Sequence, residues 1–99
     1  MKDFRGKTAV ITGGGAGIGF ALAQVFAKAG MRVVIADLRQ DHLDEAMAEL
    51  AKQGAKAHAI RLDVSDRKAF AAAADEAERV FGKVHLLCNN AGVNIIRPI

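Results

Sequence analysis

Five of the eight residues from Thr12 to Gly19 are glycine, and the segment lies between the apolar run Ala9-Val10-Ile11 and a helical pattern from Ile18 to Ala29. A strand that enters a glycine turn and leaves as a helix aims the first N–H groups of that helix, which lack intrahelical acceptors, at one point. The positive end of the helix dipole adds to the field, so the natural guest is a phosphate. Glycine permits the positive φ of a tight turn and, without a Cβ, lets guest and helix approach closely. The spacing is Gly13-x-x-x-Gly17-x-Gly19, with Gly15 inside it and Ile18 at the last position of the commoner G-x-G-x-x-G. Strand, turn and helix in this register read as the phosphate-binding turn of a dinucleotide fold.

Asp37 ends the next apolar run, eighteen residues past Gly19. A carboxylate there can accept hydrogen bonds from an adenosine ribose diol; the plainer alternative is a solvated aspartate at a strand end. It would also repel a 2′-phosphate, which favours NAD over NADP. Arg39 opposes that reading, because a guanidinium two residues on can swing toward such a phosphate. Asp63 has two compatible roles: accepting from an adenine amino group, or helping Ser65 neutralise the next helix N-terminus. Val64 offers an apolar wall to the ring. In Asn89-Asn90-Ala91-Gly92, the amides can satisfy backbone groups where a strand becomes a turn. A structural role suits Asn89, and Asn90 fits structure or ligand equally. His42, His58 and His85 lack metal-ligand spacing and read as surface or filler residues, so no metal is expected. Cys88, inside a strand, reads as a small buried hydrophobe.

The elements that must position these residues alternate along the chain. Lys7 to Thr12 reads as a buried strand. The helix from Ile18 places Ile18, Ala21, Leu22, Val25, Phe26 and Ala29 on one apolar face, with Gly30 as its stop. Met31 to Ala36 is nearly all apolar, as in a strand covered on both sides. A helix opens at Asp41, buries Leu43, Ala46, Met47 and Leu50, and ends at Gly54. Lys56 to Leu62 is a weaker strand with His58, Ile60 and Leu62 on one side. Ser65 is the expected N-cap of an alanine-rich helix over 66–81, with Phe70, Ala73, Ala77, Val80 and Phe81 buried and Gly82 closing it. Val84 to Cys88 is a fourth strand, 89–92 its turn, and the tail to Ile99 has no element of its own. Strands alternating with such helices predict a parallel α/β sheet with right-handed crossovers. Every polar motif then falls on one edge, where open α/β sheets bind ligands.

At 99 residues the chain allows one domain, and 52% apolar with 25% charged residues fits a globular one. The net charge of +3 raises nucleic acid, but the 14 basic and 11 acidic residues are interspersed and no Tyr or Trp could stack bases. Nucleic-acid binding is therefore not expected. Glycines and Asp3 break any signal-like N-terminus, and no run reaches the ~20 apolar residues of a membrane span. A single cysteine agrees with a reducing compartment, and the expectation is a cytoplasmic protein.

Taken together, Thr12-Gly13-x-x-x-Gly17-Ile18-Gly19, Asp37, Asp63-Val64 and Asn89-Asn90-Ala91-Gly92 resemble, in order and separation, the short-chain dehydrogenase/reductase family. The resemblance covers the whole chain. It implies a Rossmann-type doubly wound parallel sheet of strand order 3-2-1-4, here incomplete, with residues 1–99 as the N-terminal part of a single NAD(P)-binding domain. It implies cofactor contacts for Gly13, Gly15, Gly17, Ile18, Gly19, Asp37, Asp63, Val64, Asn90, Ala91 and Gly92. The chemistry implied is hydride transfer between NAD(H) and a small-molecule alcohol or ketone, in a full-length homo-oligomer. The family's catalytic serine, tyrosine, lysine and second asparagine lie beyond the Asn-Asn-Ala-Gly turn. Tyrosine is absent here, so no catalytic residue is assigned within the chain. The opening Met-Lys-Asp-Phe and Gly17-Ile18-Gly19-Phe20 are similar to bacterial dehydrogenases of lignin-type benzylic alcohols, without naming a substrate. Two rivals stand beside this reading: a non-catalytic nucleotide-binding module or truncated fragment, and a methyltransferase whose sheet starts similarly. In the 3-2-1-4 order the first two helices cover one face, the third lies alone on the other, and the fourth strand is an unpaired apolar edge. That arrangement predicts a poorly soluble or partly folded 99-mer.

Overall fold

A computed structural model describes residues 3–63, 65–89 and 92–96, with backbone alone for 92–94. Val64, Asn90 and Ala91 therefore lie outside the described residues. The elements are β1 (Thr8–Thr12), α1 (Gly17–Lys28), β2 (Arg32–Asp37), α2 (Gln40–Lys52), β3 (Ala57–Arg61), α3 (Arg67–Phe81), β4 (Leu86–Asn89) and β5 (Gly92–Ile95). They form one sheet of order β3-β2-β1-β4-β5. β1 pairs in parallel with both β2 and β4, and β2 with β3, which gives the expected 3-2-1-4 core.

Alternation along the two central strands divides the core. Ala9, Ile11, Val33 and Ile35 meet α1 and α2, whose Ala23, Leu43, Ala46 and Leu50 complete the larger cluster. Val10, Val34 and Ala36 face α3 through Ala73 and Ala77. β1 is buried along its whole length, as a strand with helices on both faces must be. Leu43, Leu50 and Ile35 are fully buried, and each such side chain contributes about 2 kcal/mol relative to exposure. Beside α3 the covering is incomplete. An apolar groove of about 240 Å³ remains there, lined in part by Val10, Leu62, Phe70, Val84 and Leu87.

Four sequence expectations are corrected. First, β4 is not an unpaired edge, because β5 adds to it antiparallel, with Asn89 opposite Gly92 and Leu86 opposite Ile95. The β-branched Val93 and Ile95 supply strand propensity where the ladder of β4 would otherwise face solvent. Second, β4 spans Leu86–Asn89 and not Val84–Cys88, so Asn89 and Gly92 are strand ends that face each other across the ladder. Third, α1 is rotated from the predicted face: Ile18 (83% exposed) and Val25 (60%) point outward, as do Ala21 and Ala29. Ala23 is buried instead, with Phe20, Leu22, Phe26 and Ala27 packed around the core. α1 is apolar on nearly every side, so periodicity alone could not choose its face. Fourth, Val80 of α3 is exposed, while Ala73 and Ala77 carry the contact.

Candidate functional site

The turn after β1 is held by its own glycines. Gly13 (φ 68°) and Gly17 (φ 59°) occupy the left-handed region that favours glycine. A Cβ on Gly19 would lie 2.1 Å from the Gly13 carbonyl oxygen, so helix and turn touch backbone to backbone. That contact holds the start of α1 against the turn. Gly14 belongs to the turn structurally, although no ligand argument singled it out. Its N–H donates to the Ala36 carbonyl (3.1 Å), and a Cβ there would meet the Ile11 oxygen at 2.8 Å.

Beyond the turn, the residue at the capping position of α1 is Ala16, which has extended backbone (φ −158°, ψ 166°) but no side chain able to cap. The first turn of α1 carries no acidic residue. The helical ladder starts only with Phe20 N–H to the Ala16 carbonyl (3.4 Å). Gly17, Ile18 and Gly19 thus present the early amides that a helix cannot satisfy from within, at the positive end of its dipole.

Asp37 is brought to this turn from β2. Its Oδ2 accepts from Gly15 N–H (3.1 Å) and its Oδ1 from Arg39 N–H (3.1 Å). A carboxylate has about four lone-pair sites, so each oxygen keeps capacity for another donor. Two adjacent hydroxyls are the natural complement. A Cβ at Gly15 would press on this carboxylate (2.9 Å) and on His42 Cβ (2.8 Å). Gly15 therefore serves the approach of Asp37, and its amide is already engaged. His42 is packed against the turn from α2, a contact no sequence spacing announced. Leu38, next to Asp37 in the chain, is an exposed apolar side chain that sequence reading also missed.

At the start of α3, Asp63 Oδ1 accepts from Ser65 N–H (3.0 Å) and Ser65 Oγ (2.7 Å). These bonds hold the Asp63 carboxyl below the usual carboxylate range. Ser65 is consequently not the N-cap. Asp66 is, its Oδ1 accepting from Ala69 N–H (3.1 Å). With the Ser65 hydroxyl turned back onto Asp63, the capping role passes to the next residue with an oxygen to offer. Asp63 Oδ2 accepts no hydrogen bond among the described residues.

β1 leads into α1 on one face of the sheet and its neighbour β4 is reached from α3 on the other, so the crevice between their C-terminal ends is where such sheets bind ligands. A cavity of about 110 Å³ occupies it, lined by Thr12, Ile18, Gly19, Leu22, Cys88 and Asn89 among others. Thr12 Oγ1 donates to the Cys88 carbonyl (3.3 Å), tying the two strands at that point. Cys88 is buried and burial pushes its thiol up, which argues against a nucleophile. The histidines lie apart. His58 Nε2 pairs with Glu76 of α3 (2.5 Å), and His85 Nδ1 accepts from Thr8 N–H (3.2 Å). They tie elements together, where surface or filler roles were expected. Among the described residues no group of three His, Cys, Asp or Glu side chains could hold a metal.

Three parallel crossovers, a glycine turn at the head of α1 and a crevice between β1 and β4 make this a Rossmann-type fold. A family model, short chain dehydrogenase, matches residues 7–99. A C alpha-dehydrogenase of Sphingobium sp. strain SYK-6 is 52% identical over 100 residues, covering 100% of this chain and 33% of that protein. Among solved structures, the apo form of LigO from the same strain superposes with a TM-score of 0.88 at 56% identity, over 99% of this chain and 37% of LigO. A short chain dehydrogenase/reductase from Burkholderia phymatum in complex with NAD gives 0.85 at 45% identity, over 88% of this chain and 31% of that one. The chain belongs to the short-chain dehydrogenase/reductase family and spans about a third of the length of the curated relatives it matches.

Proposed function

We propose that this chain is the cofactor-holding part of an oxidoreductase that moves a hydride between NAD(H) and a small alcohol or carbonyl compound. The observation that carries the reading is the Asp37 carboxylate, fixed by one backbone amide on each oxygen beside an uncapped helix N-terminus. Gly13, Gly17, Ile18 and Gly19 would hold the pyrophosphate, and Asp37 the adenosine ribose diol. Asp63 and Val64 would border the adenine, with Leu38 opposite. Asn90, Ala91 and Gly92 would flank the nicotinamide half. When bound, the nicotinamide accepts or donates the hydride; the chain's own residues orient the dinucleotide and exclude water from its adenosine end. No group in these 99 residues is assigned the proton transfer. NAD is preferred to NADP because a second anion beside Asp37 would be repelled. A Burkholderia phymatum relative is solved with NAD and a Thermoplasma acidophilum relative is an L-rhamnose 1-dehydrogenase (NADP(+)), so the preference rests on Asp37. The single buried cysteine suits a cytoplasmic setting, and a homo-oligomer is the proposed assembly.

The test is calorimetric titration of NAD and NADP against the protein as its gene encodes it, with Asp37→Ala beside the wild type. Losing charge-assisted bonds worth about 2 kcal/mol should weaken NAD some thirtyfold. Equal affinities for both dinucleotides, untouched by the substitution, would remove the cofactor assignment.

A further inference from the structure

We infer that Asp41 is a specificity-determining residue for the cofactor: by holding the Arg39 guanidinium it keeps that cation from a 2′-phosphate placed beside Asp37. The inference rests on the reading of Asp37 as the ribose acceptor.

Arg39 is rooted at the site, since its own N–H donates to Asp37 Oδ1 (3.1 Å). Its guanidinium stays within electrostatic reach of Asp37 but pairs with Asp41. Arg39 Nε donates to Asp41 Oδ1 (3.1 Å) and Nη2 to Asp41 Oδ2 (2.6 Å), so one carboxylate engages the Nε/Nη2 side of the guanidinium. Two parallel bonds to one carboxylate hold the guanidinium in place and offset its charge, so a second anion must draw it away from Asp41 or share it. Asp41 stands in the first turn of α2, where a carboxylate is favoured by the helix dipole. The hydrogen bonds from Arg39 hold the Asp41 carboxyl below its usual range. Another guanidinium near this loop, Arg61, is directed to the Leu38 carbonyl (3.2 Å). Without Asp41, the guanidinium two residues from Asp37 would be at liberty to meet a 2′-phosphate and offset the repulsion from Asp37.

The magnitude decides the rank of the effect. Both partners are about 60% exposed, and exposed pairs are weak. Asp37 remains the primary discriminator and Asp41 the secondary one.

Calorimetric titration of NAD and NADP on the protein as its gene encodes it would compare wild type, Asp41→Asn, Arg39→Ala and the double variant, with Asp37→Ala as reference. Asp41→Asn should tighten NADP about two- to fivefold, the range of an exposed ion pair, and move NAD by less than about twofold. Adding Arg39→Ala should erase the gain. The inference is overturned if NADP affinity is unchanged in Asp41→Asn, or if the gain survives without Arg39, which would mean simple removal of a negative charge. If Asp37→Ala leaves NAD binding unaltered, the ribose reading itself fails. If Asp37→Ala weakens NAD while Asp41→Asn does nothing to NADP, only the role of Asp41 falls.

Discussion

The turns that open α1 and α3 leave the same edge of the sheet and use their donors in opposite ways. At α3 the chain satisfies itself: Asp66 caps Ala69 N–H, and Asp63 gathers the amide and hydroxyl of Ser65. At α1 the capping position is Ala16, and no acid lies in the first turn. A capped helix end is a stability device that works without a partner. An uncapped one, beside a fixed carboxylate and a crevice, reserves its amides for something that arrives from outside. The contrast shows that local thermodynamics and ligand binding compete for the same N–H groups, and that this chain resolves the competition differently at the two ends.

The harshest way to break the contrast is Gly19→Ala. Its Cβ would sit 2.1 Å from the Gly13 carbonyl, so backbone must move. We expect about 3 kcal/mol of lost stability by thermal unfolding and no detectable NAD binding by calorimetry. Retention of both would mean that close approach of helix and turn is dispensable. A sharper probe converts one end into the other. Ala16 already has the extended backbone of a capping residue, so Ala16→Asp should stabilise α1 by about 0.5–1 kcal/mol while weakening NAD about tenfold. Opposite signs in melting temperature and affinity are the readout; a rise in both would show that those amides were never a ligand site.

Asp66→Ala should do the reverse. Loss of the cap costs about 1 kcal/mol in denaturant unfolding, with NAD affinity essentially unmoved. The smallest effect is electrostatic. Asp63 has its carboxyl held down in the folded state, so its contribution is present above the unfolded value near pH 4 and fades as pH falls below it. Asp63→Asn should make the acid limb of stability slightly shallower below about pH 4, as read by urea midpoints across pH. A steeper limb would show that Asp63 is not the acceptor for Ser65.

Much of this architecture was legible because its signals are local. Strand-glycine-helix order, the stop glycines Gly30 and Gly54, and the strand-end Asp37 all follow from conformational preferences of one or two residues. The α2 face was equally clear, since Leu43, Ala46 and Leu50 alternate with charged neighbours. The α1 face was misread because Ile18, Val25, Phe20 and Ala23 are all apolar, and packing on β1, β2 and α2 selects among them. The cap of α3 was misplaced by one residue because Ser65 and Asp66 can both cap, and their competition is decided by Asp63. The pairing of β5 escaped notice because a short strand carries little periodicity and finds its partner through a neighbouring edge.

By itself, the amino-acid order determined the succession of strands and helices from β1 to β4, the glycine turn between β1 and α1, and the presence of a carboxylate where the second strand ends. Those depend on steric and hydrogen-bonding properties that each residue carries with it. Tertiary structure alone decided which side of α1 is buried, that Gly15 and Arg39 donate to Asp37, and that the Arg39 guanidinium turns to Asp41. Each of these is a choice between near-equal local options, and packing between distant segments breaks the tie.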